Sequence, residues 1–322
     1  MAILITGVAG FIGCNLASVM LEKGEIVFGI DNFCLGHRDN ILNLKNNARF
    51  QFIEVDMGSL DEYTKAIKNL HSIQDIREVW HLAANSDIQA GVNNAEVDLK
   101  NTFMTTFNTL AIMKMFNIPV IAFASSSAIY GDHGNQTLFE STGPLLPISN
   151  YGAMKLASEA IISASTESHL KQAFIFRFPN VIGVPATHGV ILDFVRKLKT
   201  TPNKLEVMGN GTQKKSYLHV DELIDAMLFI RKKAIEKIAI YNIGPSDLGV
   251  TVRFIAEEVI RHISPNAAIY YGEDNKGWLG DVPRFSYCID KLMNLGWAPK
   301  IGSKDAIRMA IQQIALQEAG RS

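Results

Sequence analysis

The stretch Ala2-Ile3-Leu4-Ile5-Thr6-Gly7-Val8-Ala9-Gly10-Phe11-Ile12-Gly13 decides how this chain is read. An apolar run ends in Thr6 and meets three glycines at a spacing of three. No charged side chain occurs from Met1 to Leu21. Such a run is either an export or membrane segment, or a buried strand entering a helix. No basic region precedes it, and three glycines in seven residues weaken a membrane helix. A strand buried on both faces reads as continuous apolar sequence. Phe11, Ile12, Leu16, Val19 and Met20 then follow at helical spacing, and Gly24 ends the helix.

A second apolar run, Ile26 to Ile30, ends in Asp31, 18 residues after Gly13. This strand–glycine turn–helix–strand–acid order is the arrangement that holds a dinucleotide. Glycines let the backbone approach a pyrophosphate, and a helix N-terminus offers N–H groups and positive dipole. The acid accepts hydrogen bonds from ribose hydroxyls and repels a 2′-phosphate, which favours NAD over NADP. The plainer alternative is a glycine turn that only packs a helix on a sheet. The flanking strands and Asp31 in register argue for the dinucleotide.

The alternation continues along the chain. Strands are expected at Phe50–Val55, Arg77–Leu82, Pro119–Ala124 and Gln172–Arg177, with helices over Asn94–Phe116 and Tyr151–Ser168. Strands separated by helices imply a doubly wound parallel sheet. Beyond Arg177, prolines at 179, 185 and 202 interrupt the pattern. Helices at Val190–Lys199, Asp221–Lys233, Thr251–Ile263 and Ser303–Gln317 then dominate. The expected organisation is a dinucleotide domain over residues 1–179, with residues 217–247 packing back on it. A smaller mixed α/β lobe, mainly residues 180–322, is expected to bind substrate.

Composition narrows the function. The 322 residues suggest one large or two modest domains, long enough to need no disulfide or metal staple. Lys plus Arg is 31 against 32 Asp plus Glu, a balance that argues against nucleic-acid or polybasic membrane binding. The cysteines, Cys14, Cys34 and Cys288, are odd in number and far apart. A reducing, cytoplasmic setting is the expectation.

Tyr151 and Lys155 lie four apart on one expected helix and share a face. A cation beside a phenol favours phenolate, so a lowered Tyr151 pKa is expected. A phenolate can take a proton from an alcohol while hydride leaves for nicotinamide. Ser126 follows a strand and could bond the same alcohol. The pair is not decisive alone, since Tyr287 and Lys291 repeat its spacing. Tyr151 differs because it opens a helix 25 residues after Ser126 in the dinucleotide domain. His81 is expected to be packed, and Asp132 and His133 to be turn residues. Arg196-Lys197-Lys199 and Arg231-Lys232-Lys233 are expected to be solvated helix faces. Lys214 and Lys215 either decorate a loop or, at Lys215, meet a substrate phosphate.

Taken together these motifs resemble the extended short-chain dehydrogenase/reductases. T-G-V-A-G-F-I-G from Thr6, D-N-F at Asp31, H-L-A-A at His81, S-S-S-A-I-Y-G at Ser125, Y-G-A-M-K at Tyr151 and R-F-P-N at Arg177 carry the resemblance. It extends to G-N-G-T-Q-K-K-S-Y-L-H-V-D from Gly209, Y-N-I-G at Tyr241, G-W-L-G-D-V-P from Gly277 and L-G-W-A-P from Leu295. The pattern is most similar to nucleotide-sugar 4-epimerases of the UDP-glucose 4-epimerase type.

The resemblance implies that Gly7, Gly10, Phe11 and Ile12 hold the NAD pyrophosphate. Asp31 and Asn32 would bind ribose, and Asp56 and Met57 would flank adenine. Leu82, Ala83, Ala84, Asn101 and Phe178 would line the cofactor cleft. Ser126, Tyr151 and Lys155 would be catalytic, Tyr151 and Lys155 also touching the cofactor. Ser86, Ser126, Asn180, Val190, Phe194, Lys215 and Trp278 would meet a nucleotide sugar, most simply a UDP-sugar. Helices near Asn94–Phe116 and Tyr151–Ser168 would form a homodimer interface. Ser127 and Ala128 stand where the family's dehydratases carry Asp-Glu, so the acid for water loss is missing. Lys215 and Trp278 replace two usual diphosphate arginines. Phe285 falls near a position that gates N-acetyl groups and favours a plain hexose. The expected reaction is therefore C4 epimerisation through a 4-keto sugar. The alternatives are an oxidoreductase or dehydratase that releases keto or reduced sugar, and a catalytically idle NAD-binding regulator.

Overall fold

A computed structural model of the chain describes residues 1–134, 136–274 and 286–320. Strand β1, Ala2–Thr6, is buried along its whole length. Helix α1, Phe11–Glu22, follows the glycine turn, and Gly24 has left-handed φ of +84° just beyond it. Strand β2, Val27–Asp31, is likewise buried throughout and carries Asp31 as its last residue. Strand β3 is Phe50–Glu54, β4 Ile76–His81, β5 Val120–Ala124, β6 Gln172–Arg177 and β7 Ile238–Asn242. They form one seven-stranded sheet in the order β7-β6-β5-β4-β1-β2-β3. The pairings from β6 to β3 are all parallel. This is the expected doubly wound arrangement.

The pleat divides the apolar residues between two faces. Ala2 and Leu4 of β1, with Phe28 and Ile30 of β2, pack with Tyr63 and Ile67 of helix α2 (Leu60–Ile73). Leu110 and Met113 of helix α3 (Thr105–Met115) and Ile162 of helix α4 (Asn150–Thr166) join the same layer. On the other face Ile3 lies beside Met20 of α1 and Leu228 of helix α5 (Val220–Lys233). Cys14 is packed inside α1, 6% exposed.

Contacts divide the chain into two units. The first comprises Met1–Gly131, Gly143–Arg177 and Met227–Tyr241, and the second Asp132–Thr142, Phe178–Ala226 and Asn242–Ser322. The second unit is built on helices Val190–Thr200, Val252–Ile263 and Ser303–Ala319, whose apolar faces share one core. Short strand pairs flank them: Asn180–Ile182 with Tyr217–His219, and Lys204–Val207 with Ala268–Tyr271, both parallel. Lys214–Lys215 pairs antiparallel with Val250–Thr251, so these lysines sit on a half-buried strand.

One expectation is corrected by the structure, and the basic groups prove mostly exposed but more paired than expected. The single helix over Asn94–Phe116 is broken: Asn94 caps a short turn, Ala95–Asp98, and a wider π-helical turn, Leu99–Met104, precedes α3. A π turn holds one extra residue, which local 3.6-periodicity does not reveal. The Arg196 group is not simply a solvated face. Arg196 bonds both oxygens of Glu318, at 3.0 and 3.2 Å, and Lys199 bonds the Glu318 carbonyl. Arg231 likewise pairs at 2.7 Å with Glu78, a carboxylate buried on β4.

Candidate active site

The glycine turn is shaped by close approach of backbone to backbone. Gly7 has φ of +69°, and a Cβ there would lie 2.8 Å from the Ala83 nitrogen. A Cβ at Gly13 would stand 2.2 Å from the Gly7 carbonyl oxygen, so α1 can pack this closely on the turn only with glycine there. Gly10 is the N-cap of α1, which has no side-chain cap and no acid in its first turn. The N–H groups of Phe11 and Ile12, in that first turn, have no intrahelical acceptor. They present donors and positive dipole where an anion would sit. Asp31, at the end of β2, is 6% exposed. It accepts from the Ala9 amide at 3.0 Å and the Phe33 amide at 2.8 Å, which fixes its carboxylate beside the turn. These residues fit the pyrophosphate and ribose of a dinucleotide. Thr6 Oγ1 accepts from the amides of Leu82 and Ala83, both at 3.2 Å, tying the end of β4 to the same turn.

A second group of residues forms where β5 and α4 meet. Ser126 caps the 3-10 turn Ser127–Ile129, its Oγ accepting from the Ala128 amide at 3.1 Å. Ser149 caps α4 by accepting from Gly152 at 3.1 Å. A Cβ at Gly152 would lie 2.4 Å from the Ala128 carbonyl, so α4 begins in tight contact with the Ser126 turn. That contact brings the Tyr151 phenol near Ser126. One turn later Lys155 is buried, with Nζ donating to the Ala124 carbonyl at 2.6 Å. Its Nζ is 5.8 Å from the centre of the Tyr151 ring and 4.7 Å from that of Phe123. The structure thus brings Ser126, Tyr151 and Lys155 together.

The electrostatics depart from expectation. Burial pushes the Tyr151 phenol up to about 12, the Ser126 hydroxyl opposing the rise and the Asp98 charge adding to it. Burial also brings Lys155 down to about 7, against the pull of Glu159 and Asp98. Loss of water is the largest cause of both shifts, so a lysine one turn away does not by itself lower the phenol pKa. His81 is packed, as expected. Its ring nitrogens meet Thr6 and Thr106 at 2.8 and 3.0 Å, and burial first, then Lys155, brings it down to about 3.

Sequence reading passed over three residues beneath this group. Glu159 lies four after Lys155, so Tyr151, Lys155 and Glu159 form one row along α4. Glu159 accepts from Arg177 Nε at 3.0 Å and Nη2 at 2.6 Å, and from the Ser125 hydroxyl. Arg177 also donates to the Tyr130 hydroxyl at 3.1 Å. This buried network fastens α4 to β5 and β6, and the continuation of the row at an acid was its only sequence signal. Asp98 is fully buried and accepts from Asn85 Nδ2 at 2.8 Å. Nothing in its spacing distinguished it.

The remaining expected residues divide by unit. In the first, Asn32 is exposed and caps the Cys34 amide at 3.0 Å, and Asp56 is exposed and does the same for Gly58 at 2.8 Å. Met57 is 5% exposed and belongs to the sheet core, so it presents little side chain to an adenine. Leu82, Ala83, Ala84 and Asn101 are half-buried, and Ser86 is exposed. In the second unit Phe178, Val190 and Lys215 are half-buried and Asn180 is exposed. Phe194 is 3% exposed, inside that unit's core, so it offers a sugar little side-chain surface. Tyr287 sits in a short strand paired with Leu138. Trp278 and Phe285 lie outside the described residues. Asp132 forms the expected turn, accepting from Gly134 at 2.9 Å, and no cluster of metal-ligating side chains occurs among the described residues.

Comparison with known proteins adds to this geometry. A model of the NAD dependent epimerase/dehydratase family matches residues 3–244. A putative UDP-glucose 4-epimerase of Methanocaldococcus jannaschii is 28% identical over 96% of this chain and 97% of its own. A crystal structure of a UDP-galactose 4-epimerase is 30% identical, covers 98% of this chain and 99% of its own, and superposes with a TM-score of 0.85. Human dTDP-D-glucose 4,6-dehydratase is 24% identical over 96% of this chain and 89% of its own.

Proposed function

Because the chain belongs to the NAD dependent epimerase/dehydratase family, we propose that it inverts C4 of a nucleotide-bound hexose, most simply a UDP-hexose. Tyr151 takes the proton of the C4 hydroxyl, directly or through Ser126, and returns it after the ring has turned over. NAD, when bound, would supply a hydride acceptor and, in its oxidised form, a positive charge. Lys155, one turn along the helix from Tyr151 and anchored by the Ala124 carbonyl, is the second proton donor of the pair. Gly7, Gly10, Phe11, Ile12 and Asp31 hold the cofactor, and Asn180, Val190 and Lys215 are the described candidates for the nucleotide sugar.

One observation carries the choice of epimerisation. Ser126 lies near the Tyr151 phenol, yet the two residues after it are Ser127 and Ala128. Elimination of water needs a carboxylic acid there, and the nearby Glu159 is already bound by Arg177 and Ser125. Proton NMR of the purified protein with UDP-glucose, UDP-galactose and dTDP-glucose tests the reading. The expected product is the C4 epimer with no net change in NAD. Accumulation of a 4-keto or 4-keto-6-deoxy sugar, or stoichiometric NADH release, would favour the dehydratase or oxidoreductase instead.

The proposal extends to assembly and setting. Leu99, Phe107 and Met115 are apolar yet 43%, 50% and 55% exposed, along the segment expected to pair two copies. A homodimer would cover them. The setting we propose is cytoplasmic; no helix among the described residues is long and apolar enough to cross a membrane.

A further inference from the structure

The buried carboxylate of Asp98 has no role in the chemistry described above, and its surroundings are unusual. It is 0% exposed. Oδ1 accepts from Asn85, and Oδ2 is a buried oxygen without a hydrogen-bond partner. Such an oxygen is costly, because desolvation is not repaid by any donor. Its near wall is the backbone of Gly91, where a Cβ would come within 1.7 Å of Oδ2. Asn85, its one donor, is itself fixed by the Asp87 carbonyl at 2.8 Å and by its amide bonding Thr102 at 3.0 Å. The turn that carries Asp98, Ala95–Asp98, packs against α4, the helix of Tyr151 and Lys155.

We infer that Asp98, on a turn packed against the helix of Tyr151 and Lys155, is a positioning residue whose negative charge sets the pH range in which that pair exchanges protons. The inference rests on Tyr151 and Lys155 being the proton-transfer pair of the proposed reaction. The charges around Asp98 can be named element by element. From α4 come Lys155, Tyr151 and, one turn on, Glu159, which is engaged by Arg177. From the loop after β4 comes Asp87, a like charge. His81 of β4 is held neutral by burial. On its own segment Glu96 and Lys100 pair with each other at 2.7 Å on the surface. Lys155 is therefore the cation that repays burial of the Asp98 charge. Burial raises Asp98 above the usual carboxylate range, while Asn85 and Lys155 hold it down. In return Asp98 raises both Lys155 and Tyr151.

The signs give a test. Asp98→Asn keeps the shape and removes the charge. Both Lys155 and Tyr151 then lose protons more readily. Both limbs of kcat against pH that this pair sets therefore move down. A shift of about one pH unit is expected for a charge this close. A carbon-13 NMR titration of lysine labelled at Cε reads Lys155 without requiring turnover, its signal assigned by loss in Lys155→Met. Gly91→Ala, which forces the carboxylate aside, should shift the titration the same way if Asp98→Asn folds poorly. Limbs that stay in place while the rate falls, or a Lys155 midpoint that does not fall, would overturn the inference. If no sugar nucleotide is turned over, the proposed reaction fails, and the lysine titration still decides the role of Asp98.

Discussion

Lys155→Met should make the cofactor-free protein more stable at pH 6 while abolishing its chemistry. In the folded chain Lys155 titrates at about 7, against 10.5 for a free lysine. The folded state therefore binds fewer protons than the unfolded one between these values, and its stability rises with pH across that window. The difference corresponds to about 5 kcal/mol at pH 6, about 3 at pH 8 and about 2 at pH 9. Replacement by Met removes this cost, but it also removes the Nζ bond to the Ala124 carbonyl and leaves that oxygen short of a donor. That loss is about 1–3 kcal/mol. The net expectation is a gain of about 2–4 kcal/mol at pH 6, shrinking to nothing near pH 9. Urea unfolding of both proteins at pH 6, 7.5 and 9, with NAD stripped so that ligand binding does not add to either side, measures it. A variant less stable at pH 6, or a difference that grows with pH, would refute the claim that this buried lysine is held against its charge.

Other perturbations follow from the same geometry. Tyr151→Phe should lower turnover by about 10²–10⁴-fold, the usual worth of a positioned proton acceptor, while extracted protein still carries NAD. Unchanged turnover would remove Tyr151 from the chemistry. Gly7→Ala combines left-handed φ with an overlap on Ala83, and should cost at least about 2 kcal/mol in urea and strip bound NAD. Glu159→Gln leaves Arg177 buried without its carboxylate, and should cost about 3–5 kcal/mol by the same assay. Phe107→Glu on the exposed apolar segment should convert a dimer to monomer in light scattering, and a monomeric parent would show the surface has another use.

How much of this was legible depends on whether the signal was local. The glycine turn, Asp31 at the end of β2 and the α/β alternation were readable because each depends on a short stretch of backbone geometry. The row from Tyr151 to Lys155 was readable for the same reason. What failed to show was burial and partnership. Phe194 and Met57 sit at positions that pattern assigns to ligands, yet packing from distant segments encloses them. Arg196 is matched by Glu318, 122 residues away, so its charge looked solvated in sequence. The Tyr151 expectation had the wrong sign because spacing shows the lysine beside the phenol but not the water both have lost. Asp98 stayed hidden because one extra residue in the π turn Leu99–Met104 interrupts the helical spacing next to it.

The seventh strand has a consequence for synthesis. The first unit is not complete at Arg177, since it takes in Met227–Tyr241 after a long excursion of the chain. Until that return, the outer edge of β6 has no neighbour, and its residues Ala173, Phe174, Ile175 and Phe176 belong in the interior. A nascent chain emerging at about 5–20 residues per second therefore displays an open apolar strand edge for several seconds before β7 can cover it. Any fragment ended near residue 179 would keep that edge permanently. The cofactor turn follows the first strand, Ala2–Thr6, but the sheet that carries it is closed only once Ile238–Asn242 has been made.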